Sequence, residues 1–372
     1  MTRGRTMWRR VASAASLVAA GTLGVGIVAP VPAQAVVGVC TGIPQVRVVS
    51  PGVNMPSELG TLCPGDTLQL APGTYDTGYM RLYLGGAGVG GIRAGTPTAP
   101  ITLTSQDPSH PALIRGGLQL YTPHYWRIWN LRIQATVAGD PALTIRNGIG
   151  WSVRSSEFWG ARQTNAYANV VITGGGGQPS RFEFRGNLVH DAAWSTRADT
   201  TDHNVYVNFQ GARGSGGIIT RNVIWNAPHG AGIKLGNGGA YNSLGPWGVL
   251  INMNTIYNSG RQILLHGNVR NNTIYGNLFV RATQPFVTNP KTTQIYVHDV
   301  TGTGNYIHHN YAYSSTMFAY DPRHSVVFGR GNLLYNVLSA NPRLSYVNGR
   351  PWVATNPLAA AYGAYGTMRW PA

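Results

Sequence analysis

Short runs of β-branched and aromatic residues, separated by turns rich in glycine and asparagine, recur through most of the chain. Examples are "GGIITRNVIWNA", "GVLINMNTIYNSG" and "VRNNTIYGNLFV". Helical periodicity is almost absent, and 49 glycines punctuate the 372 residues. Irregular repeats of short strands, about 22 to 35 residues long, are typical of a solenoid. The pattern therefore predicts an all-β chain folded as a right-handed parallel β-helix.

Asparagines mark the starts or bends of successive runs in the second half of the chain. Their intervals are 35, 32, 23 and 33 residues, for Asn187, Asn222, Asn254, Asn277 and Asn310. In a β-helix such side chains can stack at equivalent turns. We expect one continuous solenoid from about residue 61 to 340, with no linker.

The two ends have the features of the caps that a solenoid needs. "NMPSELGTLC" predicts a short N-terminal capping helix, and the segment beginning "NPRLSYVNGRPW" predicts an irregular C-terminal tail. Residues 1–35 read as a signal peptide: a basic start, an apolar core and the cleavage-like Ala33-Gln34-Ala35. Residues 36–372 are then a single secreted, extracellular β-helix domain that does not associate with a membrane after the signal is removed.

The net charge of the mature chain favours some kinds of binding partner over others. Removing the four arginines of the signal leaves 24 basic and 12 acidic residues, a net charge of +12. Such a balance suits solubility, a general affinity for polyanions, or a cleft that concentrates an anionic substrate. Interleaved arginines and aromatic residues would also suit nucleic acid, but an exported protein seldom meets it. We expect an anionic polysaccharide as partner, no nucleic acid, and a monomer.

Cys40 and Cys63 are the only cysteines. In an exported protein the expected state is a disulfide, which would tie the mature N-terminus to the first coil. Closing this loop is worth roughly 3 kcal/mol in the chain-entropy model.

Four segments of the middle region, "NVYVN", "GIKLG", "QILLH" and "QIYVH", align on apolar pairs spaced 28, 30 and 32 residues apart. Alternate residues of a strand share a side, so if the pairs face inward, their neighbours face outward. The outward rows are then Tyr206, Lys234, Leu264 and Tyr296; Asn208, Gly236, His266 and His298; and Asn204, Gly232, Gln262 and Gln294.

Lys234 stands out because the chain has only two lysines beside 26 arginines. The alignment predicts that it points into a groove lined by Tyr, His, Asn and Gln, with Gly232 and Gly236 leaving open floor for a sugar ring. The alternative is an ordinary solvated lysine on an outer face. A shift of register by one residue would instead turn Lys234 inward.

A polar segment, "HDAAWSTRADTTDHNVYVN", precedes these strands and contains Asp191, Asp199 and Asp202, a quarter of all the acidic residues. It reads either as a solvated loop with aspartates capping its turns or as part of a site. A calcium site would need several converging oxygen ligands, and no ordered spacing demands one. We predict no metal and no cofactor, with calcium left open.

Two segments carry a resemblance to known proteins. "CPGDTLQLAPGTY", residues 63–75, resembles the opening coil of pectate-lyase-like β-helix proteins. "GTPTAPITLTSQDPSHPALIRGG", residues 95–117, is similar to the second coil of the alginate lyase and chondroitinase B family. The resemblance implies a lysine base with an arginine on a neighbouring coil. The family's arginine lies in a motif similar to "LRHGN", where this chain has "LLHGN" with Leu265 at the arginine position. Lys234 therefore carries over, and Arg261 substitutes by proximity.

The leading hypothesis is a polysaccharide lyase that cleaves a uronic-acid polymer by β-elimination. The reaction needs a base, an acid for the leaving oxygen and stabilisation of the enolate-like intermediate. Lys234 is the expected base if nearby arginines lower its pKa. The predicted catalytic residues are Lys234, Tyr206, His203 and Arg261, and the predicted substrate-binding residues are Asn204, His229, His266, Gln262, Asp202 and Tyr296.

Three alternatives stay open on the sequence. A C5-epimerase shares the proton abstraction and returns the proton from the other face. A glycoside hydrolase needs two carboxylates, for which Asp199 and Asp202 are candidates, with Glu157 and Glu183 on earlier coils. A non-catalytic glycan-binding β-helix is the third.

Overall fold

The strands of the protein stack as parallel sheets along one axis. The computed structural model describes residues 40–85, 90–164, 166–174, 177–192, 202–211, 214–236, 244–283 and 292–339. Within these residues an 11-stranded sheet, here called sheet 1, contains one strand from each coil. Its strands are Val46–Val49, Thr67–Leu70, Ile101–Ser105, Trp126–Trp129, Ser152–Arg154, Ser180–Arg185, Gly216–Thr220, Leu250–Asn252, Thr273–Tyr275, Tyr306–His308 and Val327–Phe328.

Seventeen further strands form one hydrogen-bonded network that bends into two faces, called sheet 2 and sheet 3. Sheet 2 contains Thr74–Asp76, Leu113–Gly116, Arg132–Ala135, Glu157–Trp159, Leu188–His190, Leu278–Ala282 and Leu333–Ser339. Sheet 3 contains Met80–Leu84, Gly91–Ile92, Leu118–Tyr121, Leu143–Arg146, Ala168–Thr173, His203–Asn208 and Thr293–His298. Three long strands run through the bend and join both faces: Val223–Gly236, Thr255–His266 and Tyr311–Tyr320.

Each coil thus contributes one strand to each of three faces, and every strand pairing is parallel, which is the architecture of a parallel β-helix. The predicted right-handed parallel β-helix is confirmed. A short pair, Leu244–Trp247 with Asn268–Arg270, lies outside these three faces. The structure adds a second helix, Ala161–Thr164, that the sequence pattern did not predict.

Two inward rows of sheet 3 show how the coils pack. Alternate residues point inside, and their branched side chains stack coil upon coil at 1% exposure or less: Val205, Ile233, Ile263 and Ile295 in one row, and Val207, Leu235, Leu265 and Val297 in the next. Burying each such side chain stabilises the fold by about 1.5–3 kcal/mol. Leu265 belongs to this core, which explains why an arginine is absent from that position.

The expected asparagine ladder is confirmed. Each side-chain amide donates to the carbonyl oxygen of the asparagine on the next coil, at 2.8–3.1 Å, in the order Asn187, Asn222, Asn254, Asn277, Asn310 and Asn332. Each oxygen also accepts the backbone N–H of the preceding rung. Because these groups are buried, the ladder satisfies polar atoms that would otherwise destabilise the turns.

The N-terminal end is capped as expected. Helix Met55–Gly60 buries Met55 and Leu59, and the Asn54 side chain caps it by accepting the Ser57 N–H. Cys40 and Cys63 form the predicted disulfide. The solenoid starts earlier than residue 61, because Val46–Val49 pairs in register with Thr67–Leu70 and adds a strand before the helix.

No helix in the described part of the chain is long and apolar enough to cross a bilayer. The predicted signal peptide and C-terminal tail lie outside the described residues.

Candidate functional site

The outward surface of sheet 3 carries the row that the sequence alignment predicted. Lys234 pairs with Tyr206 on one side and with Leu264 on the other, and Leu264 pairs with Tyr296. The register prediction is therefore confirmed, and Lys234 is not turned into the core. Gly236, His266 and His298 likewise form the adjacent row, in register with one another.

Lys234 is an outward side chain that has been largely removed from water. It is 8% exposed, and its ammonium nitrogen lies 4.8 Å from the centre of the Tyr206 ring. Burial, and secondly the positive charge of Arg261, lower the pKa of Lys234 from 10.5 to about 8. A lysine of this kind has about a tenth of its amine neutral at pH 7, far more than an ordinary lysine has.

Arg261 stands at the bend between sheets 2 and 3, opposite Ala231 in the strand register. Its side chain is 1% exposed, and its guanidinium lies 5.0 Å from the centre of the Tyr296 ring. An arginine keeps its charge in proteins, so it acts on its surroundings as a fixed positive charge. As predicted, Arg261 lies close enough to Lys234 for its positive charge to lower the pKa of the lysine.

His266 and His298 border the lysine in the adjacent row, with ring centres 4.9 Å apart. Burial, followed by the charges of Lys234 and His298, lowers the pKa of His266 to about 4. Burial also lowers the pKa of His298. Both rings are neutral at neutral pH and can donate one hydrogen bond without adding charge.

Gly232 and Gly236 do not leave open floor beside Lys234, and that expectation is wrong. A Cβ atom on Gly232 would lie 2.2 Å from Ile256 Cγ2, and one on Gly236 would lie 2.6 Å from the backbone oxygen of His266. Both glycines are required by close packing between coils.

Asn204 and Gln262 do not lie on the outward surface of sheet 3, contrary to the predicted third row. Both are fully buried. The Asn204 amide donates to the carbonyl of Trp225 at 2.7 Å, and the Gln262 amide donates to that of Val280 at 3.0 Å. The chain bends from sheet 2 to sheet 3 at this point, so these positions point between coils, where amide side chains satisfy backbone groups of the bend.

The remaining predicted residues lie on or just before the strand of Tyr206, or at the bend of the strand of Lys234, and they differ in burial. His203 is buried, with its ring centre 5.6 Å from that of Tyr206, and its Nδ1 accepts the N–H of Ala231 at 3.1 Å. Asp202 is also buried. His229 is half-buried in the bend where the strand register shifts.

The carboxylates proposed for hydrolysis are dispersed. Glu157 lies on sheet 2 and is bound to Arg132 and His190, whereas Glu183 lies on sheet 1 and is bound to Arg154 and Arg185. Asp199 is outside the described residues. Among the residues that the structure describes, no group of three or more His, Cys, Asp or Glu side chains converges as metal ligands would.

Known structures share this architecture. The chain is 16% identical to an alginate lyase from Paenibacillus sp. str. FPU-7, over 81% of this chain and 98% of that one, with a TM-score of 0.50. It is 13% identical to pectate lyase Pel9A, over 85% of this chain and 80% of that one, with a TM-score of 0.56. The chain has the pectate-lyase-like β-helix fold. No family model matches the sequence, and no curated protein matches it.

In this β-helix, sheet 3 continues its outward rows toward the N-terminus, and this part of the surface was missed in the sequence. One row passes from Lys234 through Tyr206, Val171, Thr144, Gln119 and Arg81, and the other contains Thr173, Arg146, Tyr121 and Tyr83. The signal was available in "MRLYL", "LQLY" and "LTIR", which show the same alternation as "GIKLG".

Proposed function

We propose that the protein is a secreted polysaccharide lyase that cleaves a uronic-acid polymer by β-elimination, with Lys234 as the base. The observation that carries the proposal is an outward lysine whose pKa is lowered to about 8 by burial and by Arg261. Proton abstraction beside a carboxylate needs a base that is neutral near the working pH. The fold is one that polysaccharide lyases use, and this supports the proposal at the level of the fold.

The proposed elimination moves one proton from C5 and breaks one C–O bond. The neutral amine of Lys234 takes the proton from C5, next to the sugar carboxylate. The C–H electron pair forms the C4–C5 double bond, the bond from C4 to the glycosidic oxygen breaks, and that oxygen receives a proton. The products are a chain with a new non-reducing unsaturated uronate and a chain with a new hydroxyl end.

Tyr206 is our candidate for the proton donor. Its ring is in contact distance of the lysine amine, and both side chains keep a small exposed fraction. His203 is buried with its ring centre 5.6 Å from that of Tyr206, so it can orient the tyrosine ring. In this proposal Arg261 is a positioning residue that sets the pKa of Lys234, because its own guanidinium is buried against Tyr296.

Neutral His266 is our candidate for the donor to the substrate carboxylate. A neutral ring can donate one hydrogen bond to the carboxylate without placing a second positive charge beside Lys234. Tyr296 and His298 continue this side of the groove. The proposed reaction uses no redox step and no cofactor from outside the chain.

Several features support an exported enzyme acting on an anionic polymer. The disulfide suits an oxidising compartment, and the chain carries 28 basic against 12 acidic residues. An excess of positive charge raises the local concentration of a polyanion.

The test is incubation of the purified mature protein with polygalacturonate, alginate and hyaluronan while the ultraviolet absorbance of the unsaturated uronate is followed. We expect absorbance to grow with one of these polymers and to be absent with Lys234→Ala. Chain shortening without this absorbance would indicate hydrolysis and overturn the proposal. Solvent deuterium entering C5 of an uncleaved polymer would indicate an epimerase instead.

A further inference from the structure

Arg146 lies on the same outward surface as Lys234, three strands away toward the N-terminus. The intervening pairings run from Leu143–Arg146 to Ala168–Thr173, then to His203–Asn208, and then to the strand of Lys234. Neighbouring strands are about 4.8 Å apart, so the separation across these strands is roughly 14 Å. A sugar residue of a 4-linked polymer is comparable in length to one strand spacing.

The guanidinium of Arg146 is held in place by an aromatic ring and has no acidic partner. It lies 5.1 Å from the centre of the Tyr121 ring, which in turn stacks on Tyr83 at 4.1 Å. Among the described residues no carboxylate comes within 4.0 Å of Arg146, and its buried Nε has no acceptor. By contrast, Arg81, on the same face, is bound to Asp140 at 3.3 Å.

Aromatic side chains connect Arg146 with the lysine. Tyr167 is 44% exposed and packs edge-to-face on Tyr206 at 5.9 Å between ring centres. Burial raises the pKa of Tyr167, and the charge of Arg146 partly opposes that rise, which places the two groups within electrostatic reach. The strand register carries the same outward surface from Arg146 to Lys234, through Thr173 and Val171 on one intervening strand and Asn208 and Tyr206 on the next.

We propose that Arg146 forms a distal subsite that binds the carboxylate of a uronate residue roughly three sugar units from the bond next to Lys234. The inference rests on the proposed function for the direction and register of the polymer. A planar guanidinium that is fixed on a ring, with donors left over, suits bidentate binding of a carboxylate. The tyrosines beside it offer apolar faces and edges to the sugar rings between the two positions.

The test measures equilibrium binding of polygalacturonate, alginate and hyaluronan by calorimetry, with Lys234→Ala as a non-cleaving background. We expect Arg146→Gln to weaken binding of the preferred polymer about tenfold, the size expected for loss of a charged hydrogen bond. Arg146→Lys should recover part of the loss because it keeps the charge. Circular dichroism and melting temperature of each variant establish that it is folded.

The matched control is Arg127→Gln. Arg127 also lies over an aromatic ring, at 4.9 Å from the centre of the Trp129 ring, but on sheet 1. The Arg127→Gln variant should bind the polymer as tightly as the background protein does. An equal loss in both variants would show a general charge effect and overturn the subsite, as would no loss with Arg146→Gln or no binding of any of the three polymers.

Esterified substrate separates carboxylate recognition from stacking. On methyl-esterified polygalacturonate or on the propyl ester of alginate, Arg146→Gln and the background protein should bind with equal affinity. A loss of affinity that persists on these esters would contradict carboxylate binding.

If polymers bind in an Arg146-dependent manner but no unsaturated product forms, the subsite proposal stands and the lyase proposal is wrong. If product forms with unchanged dependence on polymer length in Arg146→Gln, the reaction stands and the subsite falls.

Discussion

The ammonium nitrogen of Lys234 lies over the ring of Tyr206, 4.8 Å from its centre, on directly paired strands of sheet 3. The ring face stabilises the protonated amine, while burial and the charge of Arg261 act against it and dominate, so that the pKa falls to about 8. The arrangement brings an amine of lowered pKa and a tyrosine side chain together on an outward row of a β-helix. Its chemical consequences can be tested one group at a time.

Removing the amine should abolish elimination. Lys234→Ala lacks a base, and Lys234→Arg should fail as well because guanidinium keeps its proton at any workable pH. We expect a loss of at least about a thousandfold in kcat for either variant, in the upper part of the range for acid–base groups, with polymer binding nearly unchanged. Initial rates of unsaturated product measure this.

Lys291 provides the control, since it is the only other lysine in the sequence. Lys291→Ala should retain full activity. Full activity in both Lys234 variants would show that the lysine does not take part, and the catalytic group would then have to be sought elsewhere.

The pH dependence of the reaction should report the pKa of Lys234. A base works in its deprotonated form, so kcat/KM should rise with pH and level off above about 8. Arg261→Met removes a positive charge that favours the neutral amine, so the midpoint should move to higher pH, toward the ordinary value for lysine. Arg261→Lys keeps a charge and should leave the midpoint closer to that of the native protein. An unchanged midpoint in Arg261→Met would contradict the assigned role of the arginine.

The sequence allowed the coils and the row of Lys234 to be predicted because both depend on strict alternation. Inward Ile233 and Leu235 fix the direction of Lys234 between them, and the repeat length fixes its neighbours Tyr206 and Leu264. The alternation holds only while a strand is straight. At the bend between sheets 2 and 3 the backbone turns, so Asn204 and Gln262 point between coils and bond to carbonyl groups.

Burial of the lysine could not be predicted from the local pattern. The depth of Lys234 depends on side chains from other coils, of which Tyr206 and Arg261 are 28 and 27 residues away in sequence. For the same reason the local sequence does not reveal that Ile256 packs against Gly232, and the expectation of open space at this glycine is wrong.

The buried charge of Lys234 should also lower the stability of the native protein at neutral pH. Lowering the pKa of Lys234 from 10.5 to about 8 corresponds to roughly 3 kcal/mol of unfavourable free energy while the lysine is charged in both states. This cost is fully present below pH 8 and disappears as pH rises through 10.5. Lys234→Met should therefore be more stable at pH 7, by about 1–2 kcal/mol after the lost contact with Tyr206 is subtracted. Denaturant unfolding at pH 7 measures it, and a less stable Met variant would contradict the pKa shift.

A second cluster on sheet 2 predicts a different pH dependence of stability. His190 stacks on Trp225 at 4.2 Å between ring centres and lies 2.9 Å from Asp191 and 3.1 Å from Glu157. Burial disfavours its charged form, but hydrogen bonds to these two carboxylates outweigh burial and raise the pKa of His190. For Glu157, burial is outweighed by His190 and Arg132, and the pKa is lowered. The hydrogen bond to His190 is the main cause that lowers the pKa of Asp191.

His190→Phe should keep the stacking and lose the ion pairs. The histidine contributes its full stabilisation below its ordinary pKa of 6.5 and loses it as pH rises through the raised value. The carboxylates contribute theirs above about pH 4.5 and lose it as pH falls through their lowered values. The stability of the native protein should therefore exceed that of the variant by the largest margin between about pH 4.5 and 6.5. Unfolding experiments at several pH values measure this difference. His110→Gln, in an exposed pair with Asp107, should show little change, and an equal dependence in both variants would argue against the cluster.

The asparagine ladder should be the costliest place to remove a polar side chain. Asn254 accepts from the backbone N–H of Asn222 at 3.0 Å and from its side-chain amide at 2.8 Å, and it donates to Asn277 at 2.9 Å. Asn254→Ala leaves buried donors on Asn222 without an acceptor, and each such group costs about 1–3 kcal/mol. We expect a loss of roughly 3 kcal/mol or more in the free energy of unfolding. Asn208→Ala, at a half-buried position outside the ladder, should cost less than about 1 kcal/mol. Equal losses in the two variants would mean that the stacked amides contribute no more to the solenoid than an ordinary surface asparagine does.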